Sequence, residues 1–341
     1  MNTTRTQSAK SWSLLTCTLA GAIWLTSCSR GTDVAPDPEP TLPSTTVTMP
    51  STVTATGSLT DIVSRTPHLS LLNAALIRSG LAESFRTGSV TLFAPTDEAF
   101  RAAGIAKTTL DSLSPAQVQR ILQYHVLNSR LSVSALPANT PTPAPTALVT
   151  ASMTLFRASD GRLFANAARI VQPDIGANNS VMFVIDRLLQ APSLSTLELI
   201  RANPELSLFR LAVDRAGATV LTALQSSAEG GITVFAPSNA AFRAAGYVDA
   251  DAVRSADPVR LAEILRYHVV ARRTFSPMLR SGDVATVQGT PLSIMVGEQG
   301  TMLTGRGNPV TGAKLLQTDL TATNGVVHLI DRVLLPTAVN N

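Results

Sequence analysis

The stretch Thr91-Leu-Phe-Ala-Pro-Thr-Asp-Glu-Ala-Phe-Arg-Ala-Ala-Gly104 decides the reading of this chain, because it returns as Thr233-Val-Phe-Ala-Pro-Ser-Asn-Ala-Ala-Phe-Arg-Ala-Ala-Gly246. Ten of the fourteen aligned positions are identical, and three of the other four keep their chemistry: Leu92 becomes Val234, Thr96 becomes Ser238 and Asp97 becomes Asn239. A match of that length marks a duplicated unit. Its period is about one domain long, so it predicts two tandem domains and not a solenoid of short repeats.

Each copy encodes a strand, a corner and a short helix. Thr91-Leu92-Phe93 favours β structure and stops at Pro95, which has no amide to give a sheet. Thr96 stands where a helix N-cap belongs, with Asp97 and Glu98 in the first turn, where the helix dipole favours negative charge. Gly104 fits the left-handed residue that ends a helix; Ser238 and Gly246 take the same parts in the copy. A phosphate-binding loop would need glycines in the turn itself, and there are none, which disfavours anion binding at this corner.

Outward from the repeat, the N-terminus holds Arg5 and Lys10 and then an apolar run from Trp12 to Leu25. That is a positively charged region followed by a segment too short for a stable span, as in a secretory signal. It ends in Leu25-Thr26-Ser27-Cys28, which looks like a bacterial lipobox. An ordinary signal cut elsewhere and an uncleaved anchor are the alternatives; the tetrad followed by polar Ser29-Arg30-Gly31 favours a signal over 1–27 and lipidation of Cys28. Cys17 would leave with the signal, so neither a disulfide nor thiol chemistry is expected. Residues 28–57 are rich in Pro, Ser and Thr and read as an extended tether. The formal net charge of +4 includes Arg5 and Lys10 and is +2 without them. The other arginines are scattered and aromatics are few, so the footprint of a nucleic-acid partner is missing.

The repeats predict domains over 58–192 and 193–336. Each opens with helices: Thr66-Pro67 precedes one with Leu69, Leu72 and Leu76 on a face and Gly80 as a stop, and Asn203-Pro204 precedes its copy. Ser114-Pro115 and Asp257-Pro258 begin another pair, whose apolar faces end at Tyr124-His125 and Tyr267-His268. Those histidines could be ligand contacts, metal ligands or general bases. The plainer reading is a core histidine with its ring nitrogens satisfied, and it is favoured, because His68, His125, His268 and His328 lack the spacing of a metal site. No cofactor is implied. The Pro-rich stretch Leu136–Pro145 reads as a divergent surface loop. Val181-Met-Phe-Val-Ile-Asp-Arg187 and Val326-Val-His-Leu-Ile-Asp-Arg332 read as strands covered on both faces, with Phe183 answering His328 as a packing residue. Asp186 and Asp331 at their ends suit a local salt bridge or a turn hydrogen bond. With helices first and strands later, the fold class is α+β.

Phe93-Ala-Pro-Thr-Asp-Glu-Ala-Phe100, Tyr124-His125 and Ile185-Asp186, with their second set Phe235 to Phe242, Tyr267-His268 and Ala322 to Asp331, resemble the fasciclin domain signature over essentially all of residues 58–336. The resemblance implies two wedge-shaped β-sandwiches with several α-helices each, an extracellular or envelope location, and adhesion or binding to a protein or glycan partner. It implies partner contact at Tyr124, His125, Asp174, Ile175, Tyr267 and His268, with Asp319-Leu320 a changed version of Asp174-Ile175. The first copy departs from the pattern at Asn179-Ser180 and at Phe183. Arg30-Gly31-Thr32-Asp33 is not an Arg-Gly-Asp motif. An enzyme built around Tyr-His, or a structural spacer, are the competing readings; no Gly-x-Ser-x-Gly elbow, metal-ligand cluster or nucleotide loop supports the first. The combined expectation is a non-catalytic lipoprotein whose membrane contact is its N-terminal lipid.

Overall fold

Two sheets of matching topology account for the duplication. In the computed structural model, which describes residues 54–55, 57–226, 230–308, 310 and 312–337, the first sheet holds β1 (Thr54–Ala55), β2 (Thr91–Pro95), β3 (Val126–Leu127), β4 (Thr142–Pro145), β5 (Ser152–Arg157), β6 (Leu163–Ala165), β7 (Ala168–Ala177) and β8 (Ser180–Ile185). Its order is β3-β2-β8-β7-β6-β5-β4, with β1 alongside β7. The second holds β9 (Ile232–Pro237), β10 (Val269–Val270), β11 (Gly282–Ala285), β12 (Pro291–Gly297), β13 (Gly300–Thr304), β14 (Ala313–Ala322) and β15 (Gly325–Ile330), in the order β10-β9-β15-β14-β13-β12-β11. Both domains lie within one unit, Pro50–Asn341. The signal, Cys28 and nearly all of the 28–57 tether fall outside the described residues; Thr54–Ala55, expected in the tether, instead pair with Gly176–Ala177 and so belong to the first sheet.

Alternation along the central strands builds a layered core in each domain. Successive side chains of a strand point to opposite faces. Leu92, Ala94, Met182 and Val184 therefore pack under the helices, while Phe93, Val181, Phe183 and Ile185 pack against Met153, Leu155, Leu163 and Ile170 of the outer strands. The outer strands thus fold over the second face of the central ones, which makes a sandwich. The second domain repeats this, with Val234, Ala236, Val327 and Leu329 under helices and Phe235 and Ile330 inside the outer strands. The parallel pairing of β2 with β8 and of β9 with β15 sets Phe93 beside Phe183 and Phe235 beside His328. All of β8 and β15 is buried, as their apolar runs predict.

Local structure follows the residues at the repeated corner. Thr96 and Ser238 accept from Ala99 N and Ala241 N, each at 3.2 Å, and Gly104 and Gly246 sit at φ 77° and 95°. Four details differ from the expectation. A helix Leu59–Arg65, closed by a capping box at Ser58, precedes the predicted one, and Thr196–Ala202 does the same at Ser195. Pro67–Leu69 and Pro204–Leu206 are single 3₁₀ turns leading into the helices Ser70–Ser79 and Ser207–Ala216. The end of the Pro-rich stretch is not a loop but the edge strand β4, paired with β5; prolines are tolerated there because an outward edge needs no amide. Among the described residues Asp186 and Asp331 make no salt bridge; each carboxylate accepts a neighbouring strand's amide, Arg169 N at 2.8 Å and Lys314 N at 2.7 Å.

The domains meet through side chains of both. Phe156, Ala158 and Phe164 of the first pack with Phe275, Met278 and Val326 of the second. The Arg280 guanidinium lies 5.0 Å from the centre of the Phe156 ring.

Candidate functional site

The Tyr-His pairs close the helices Pro115–Tyr124 and Pro258–Tyr267, and all four side chains are fully buried. The His125 Nδ1–H donates to Ile121 O at 2.8 Å, and its Nε2 accepts from Leu189 N at 3.0 Å. His268 repeats this with Ile264 O at 2.8 Å and Leu334 N at 2.9 Å. Since Nε2 accepts, the proton sits on Nδ1, and each ring staples a helix end to the chain that follows the last strand. Burial lowers both histidines from the usual 6.5 to about 4, against a smaller opposing effect of the bonded carbonyl. With both ring nitrogens committed to backbone, neither imidazole can take a proton from a substrate.

The tyrosines are equally engaged. Tyr124 Oη donates to Ser152 O at 3.3 Å and accepts from Asn166 Nδ2 at 2.9 Å. Tyr267 Oη donates to Pro291 O at 2.9 Å and accepts from Arg306 N at 3.2 Å. Burial raises both phenols. These bonds tie the helical layer to the outer strands, β5 in one domain and β12 in the other.

Asp174 and Asp319 occupy matching irregularities of β7 and β14, with φ at 54° and 67°. A positive φ suits aspartate better than most residues. Asp319 is held by Ser276, accepting its amide at 2.6 Å and its hydroxyl at 2.5 Å. Asp174 is partly exposed, and burial holds its carboxyl above the usual range, against a smaller opposing effect of the Arg130 charge. Ile175 is buried. Of the six residues the resemblance nominated for partner contact, only Asp174 therefore meets solvent.

His328 makes the opposite tautomer. Its Nε2–H donates to Thr274 O at 3.0 Å, and its Nδ1 accepts from Asp319 N at 3.2 Å. It stacks on Phe235 at 5.6 Å and 24°, as Phe183 stacks on Phe93 at 5.6 Å and 27°. The aromatic packing predicted from that exchange is what the two domains share.

Other identities in the repeat have structural duties that sequence reasoning missed. Asp97 accepts from Leu71 N at 2.8 Å and Ser70 Oγ at 2.7 Å, so it fixes the start of the helix Ser70–Ser79. Asn239 does this for Leu208 N at 2.9 Å and Ser207 Oγ at 3.1 Å. Thr91 and Thr233 hold the segments after β3 and β10, through Ser129 O and Leu131 N in one and Arg272 O and Thr274 N in the other. Retention of Asp or Asn, and of Thr, in both copies was the available signal. Among the described residues, no three His, Cys, Asp or Glu side chains gather as a metal site would require.

The fasciclin domain family matches residues 67–191 and 204–336. The chain is 30% identical over 256 residues to the transforming growth factor-beta-induced protein ig-h3 of Sus scrofa, covering 73% of this chain and 35% of that protein. It is 30% identical over 254 residues to Homo sapiens periostin, covering 73% and 28%. It therefore spans about a third of the length of these relatives. The solved FAS1 domain pair of the insect cell adhesion molecule Fasciclin I matches 79% of this chain and 97% of that one, at 18% identity and a TM-score of 0.39, a likeness too loose to support any statement about this chain. With both repeats matched in full order, this chain belongs to the fasciclin domain family and carries two copies of the domain in tandem.

Proposed function

We propose that the protein is an exported, lipid-anchored component of a bacterial envelope that presents two fasciclin domains for non-catalytic binding of a protein or glycan. Fasciclin domains are known in adhesion and binding proteins. The observation that carries the non-catalytic reading is the sealing of both Tyr-His pairs, whose ring nitrogens and hydroxyls are committed to the fold. The anchor rests on the lipobox at Cys28 and on the Pro-rich tether, which gives reach from a membrane surface. On this reading Tyr124, His125, Tyr267 and His268 shape the surface that binds and do not touch the partner.

The anchor is tested by Cys28→Ala. The variant loses the acyl mass and moves from the membrane fraction to the soluble fraction; retention on membranes without that mass contradicts the proposal. Binding is tested by capture of envelope proteins and by a glycan array. Turnover of a substrate that survives substitution of every surface carboxylate but stops with His125→Gln and His268→Gln would favour the enzyme.

A further inference from the structure

We propose that the crevice between the two domains is a binding site for an acidic saccharide, with Arg273 as the residue that recognises its carboxylate. Arg273 follows β10, and its backbone amide donates to Gly230 O at 2.6 Å. Its Nη2 donates to Thr323 O at 2.9 Å and, more weakly, to Ala322 O at 3.5 Å. Its Nε is buried without a hydrogen-bond partner. Gly231, at φ 67°, lets the side chain lie this close, since a Cβ there would come within 3.2 Å of Nε. Among the described residues no carboxylate pairs with Arg273, and burial lowers its pKa below the usual arginine range. A desolvated cation without a counter-charge is costly, and an anion beside it offsets that cost.

Arg273 lines two cavities that have space for such an anion. One cavity of about 410 Å³ is lined by Pro141, Pro143, Ser152 and Thr154 of the first domain and by Gly230 and Asn324 of the second. Another of about 250 Å³ is lined by Pro145, Val149 and Pro192. Arg273, Ser152 and Thr323 line both, so the two cavities adjoin as one groove, and Arg273 is the one cationic side chain among the described residues that line it. The larger is of ordinary ligand-pocket size. The first domain does not duplicate this. Its corresponding Arg130 is exposed and acts on Asp174, whereas Asp319 in the second is committed to Ser276.

The groove wall selects the kind of ligand. β4 is an edge strand that could extend its sheet to a peptide, but Pro143 and Pro145 have no amides to donate. Ser152 and Thr323 offer hydroxyls that make no hydrogen bond among the described residues. A ligand with hydroxyls and one carboxylate per unit matches these groups better than an extended peptide does. Tyr124, whose Oη bonds to Ser152 O, feels the Arg273 charge from beneath this wall. The Tyr-His pair of the first domain therefore shapes the groove without entering it.

This site rests on the binding reading above and names the ligand class. The test is calorimetric titration of the full chain with a uronic acid oligosaccharide, the matching neutral oligosaccharide and a glutamate-rich peptide. The uronate oligomer is expected to bind, with affinity at least about tenfold above the neutral one and falling with salt. Arg273→Gln abolishes the difference, and Ser152→Trp, which fills the groove while leaving Arg273 in place, abolishes binding with the unfolding midpoint unchanged. Glu229, adjacent in sequence to Gly230 and outside the described residues, is removed in Glu229→Gln so that a carboxylate of the chain itself cannot mask the site. No uronate binding in either background, undiminished binding in both groove variants, or binding of the peptide alone overturns the proposal. Capture of an envelope partner that survives Arg273→Gln would leave the broader binding reading standing.

Discussion

At the residue scale, the duplicated corner works by pinning its neighbours. Asp97 was legible as an acid in a first turn, but its partners Ser70 and Leu71 lie far back in the chain, and no local pattern announces a bond across that distance. Asp97→Ala leaves the Leu71 amide buried and unmet, so it should destabilise the protein by about 2 kcal/mol in urea unfolding, while Asp97→Asn, the residue the second domain uses, should lose less than about 1 kcal/mol. The buried histidines were read from the sequence as core residues with satisfied nitrogens, and both geometries agree. Their titration has a definite sign. The folded state holds each near 4 against an ordinary 6.5, so the unfolded chain binds protons first. Stability is fully present above the ordinary value and declines as pH falls from 6.5 towards 4, by up to about 3 kcal/mol per histidine. Urea midpoints across that interval check this; midpoints independent of pH would contradict it.

At the element scale, strongly capped and strongly apolar segments were readable, and short ones were not. β8 and β15 announced themselves by continuous apolar runs, and the helices closing at Tyr124 and Tyr267 by their proline starts. The seven-residue helix Leu59–Arg65 is too short to show a full apolar period, and only its Ser58 cap marks it. β4 was hidden by its own prolines, which usually signal a loop and here are permitted by its edge position. Gly104 gives a clean test of the corner. It stands at φ 77° with nothing within 4 Å of an added Cβ, so Gly104→Ala meets no clash and reports the left-handed backbone alone. The expected loss is about 1 kcal/mol, read as a shift of the denaturation midpoint.

At the scale of the whole molecule, the tandem is more than two beads on a string. No sequence period could reveal that Phe156 and Phe164 meet Phe275 and Met278, because each hairpin or turn looks like an ordinary surface feature of its own domain. The same holds for Arg273, which resembled any scattered arginine until the domains were brought together. Phe275, fully buried at this junction, should couple the two unfolding events. Phe275→Ala is expected to cost about 3 kcal/mol and to split a single calorimetric transition into two. A single transition of unchanged midpoint would show that the domains unfold independently of this contact.

The central claim is that the Tyr-His motifs are framework and that binding belongs to the surfaces they support. Its most direct measurement is array binding to envelope proteins and glycans by the wild type, Tyr267→Phe and His328→Phe, each with its urea midpoint recorded. His328→Phe reproduces the aromatic pair of the first domain, and Tyr267→Phe removes one hydroxyl from a buried site. A specific ligand is expected for the wild type, with undiminished binding in each variant that remains folded. Loss of that ligand in Tyr267→Phe at the wild-type midpoint would contradict the claim, because the motif would then be contacting the partner itself, while His328→Phe, outside the motif, is the control for the shared aromatic packing.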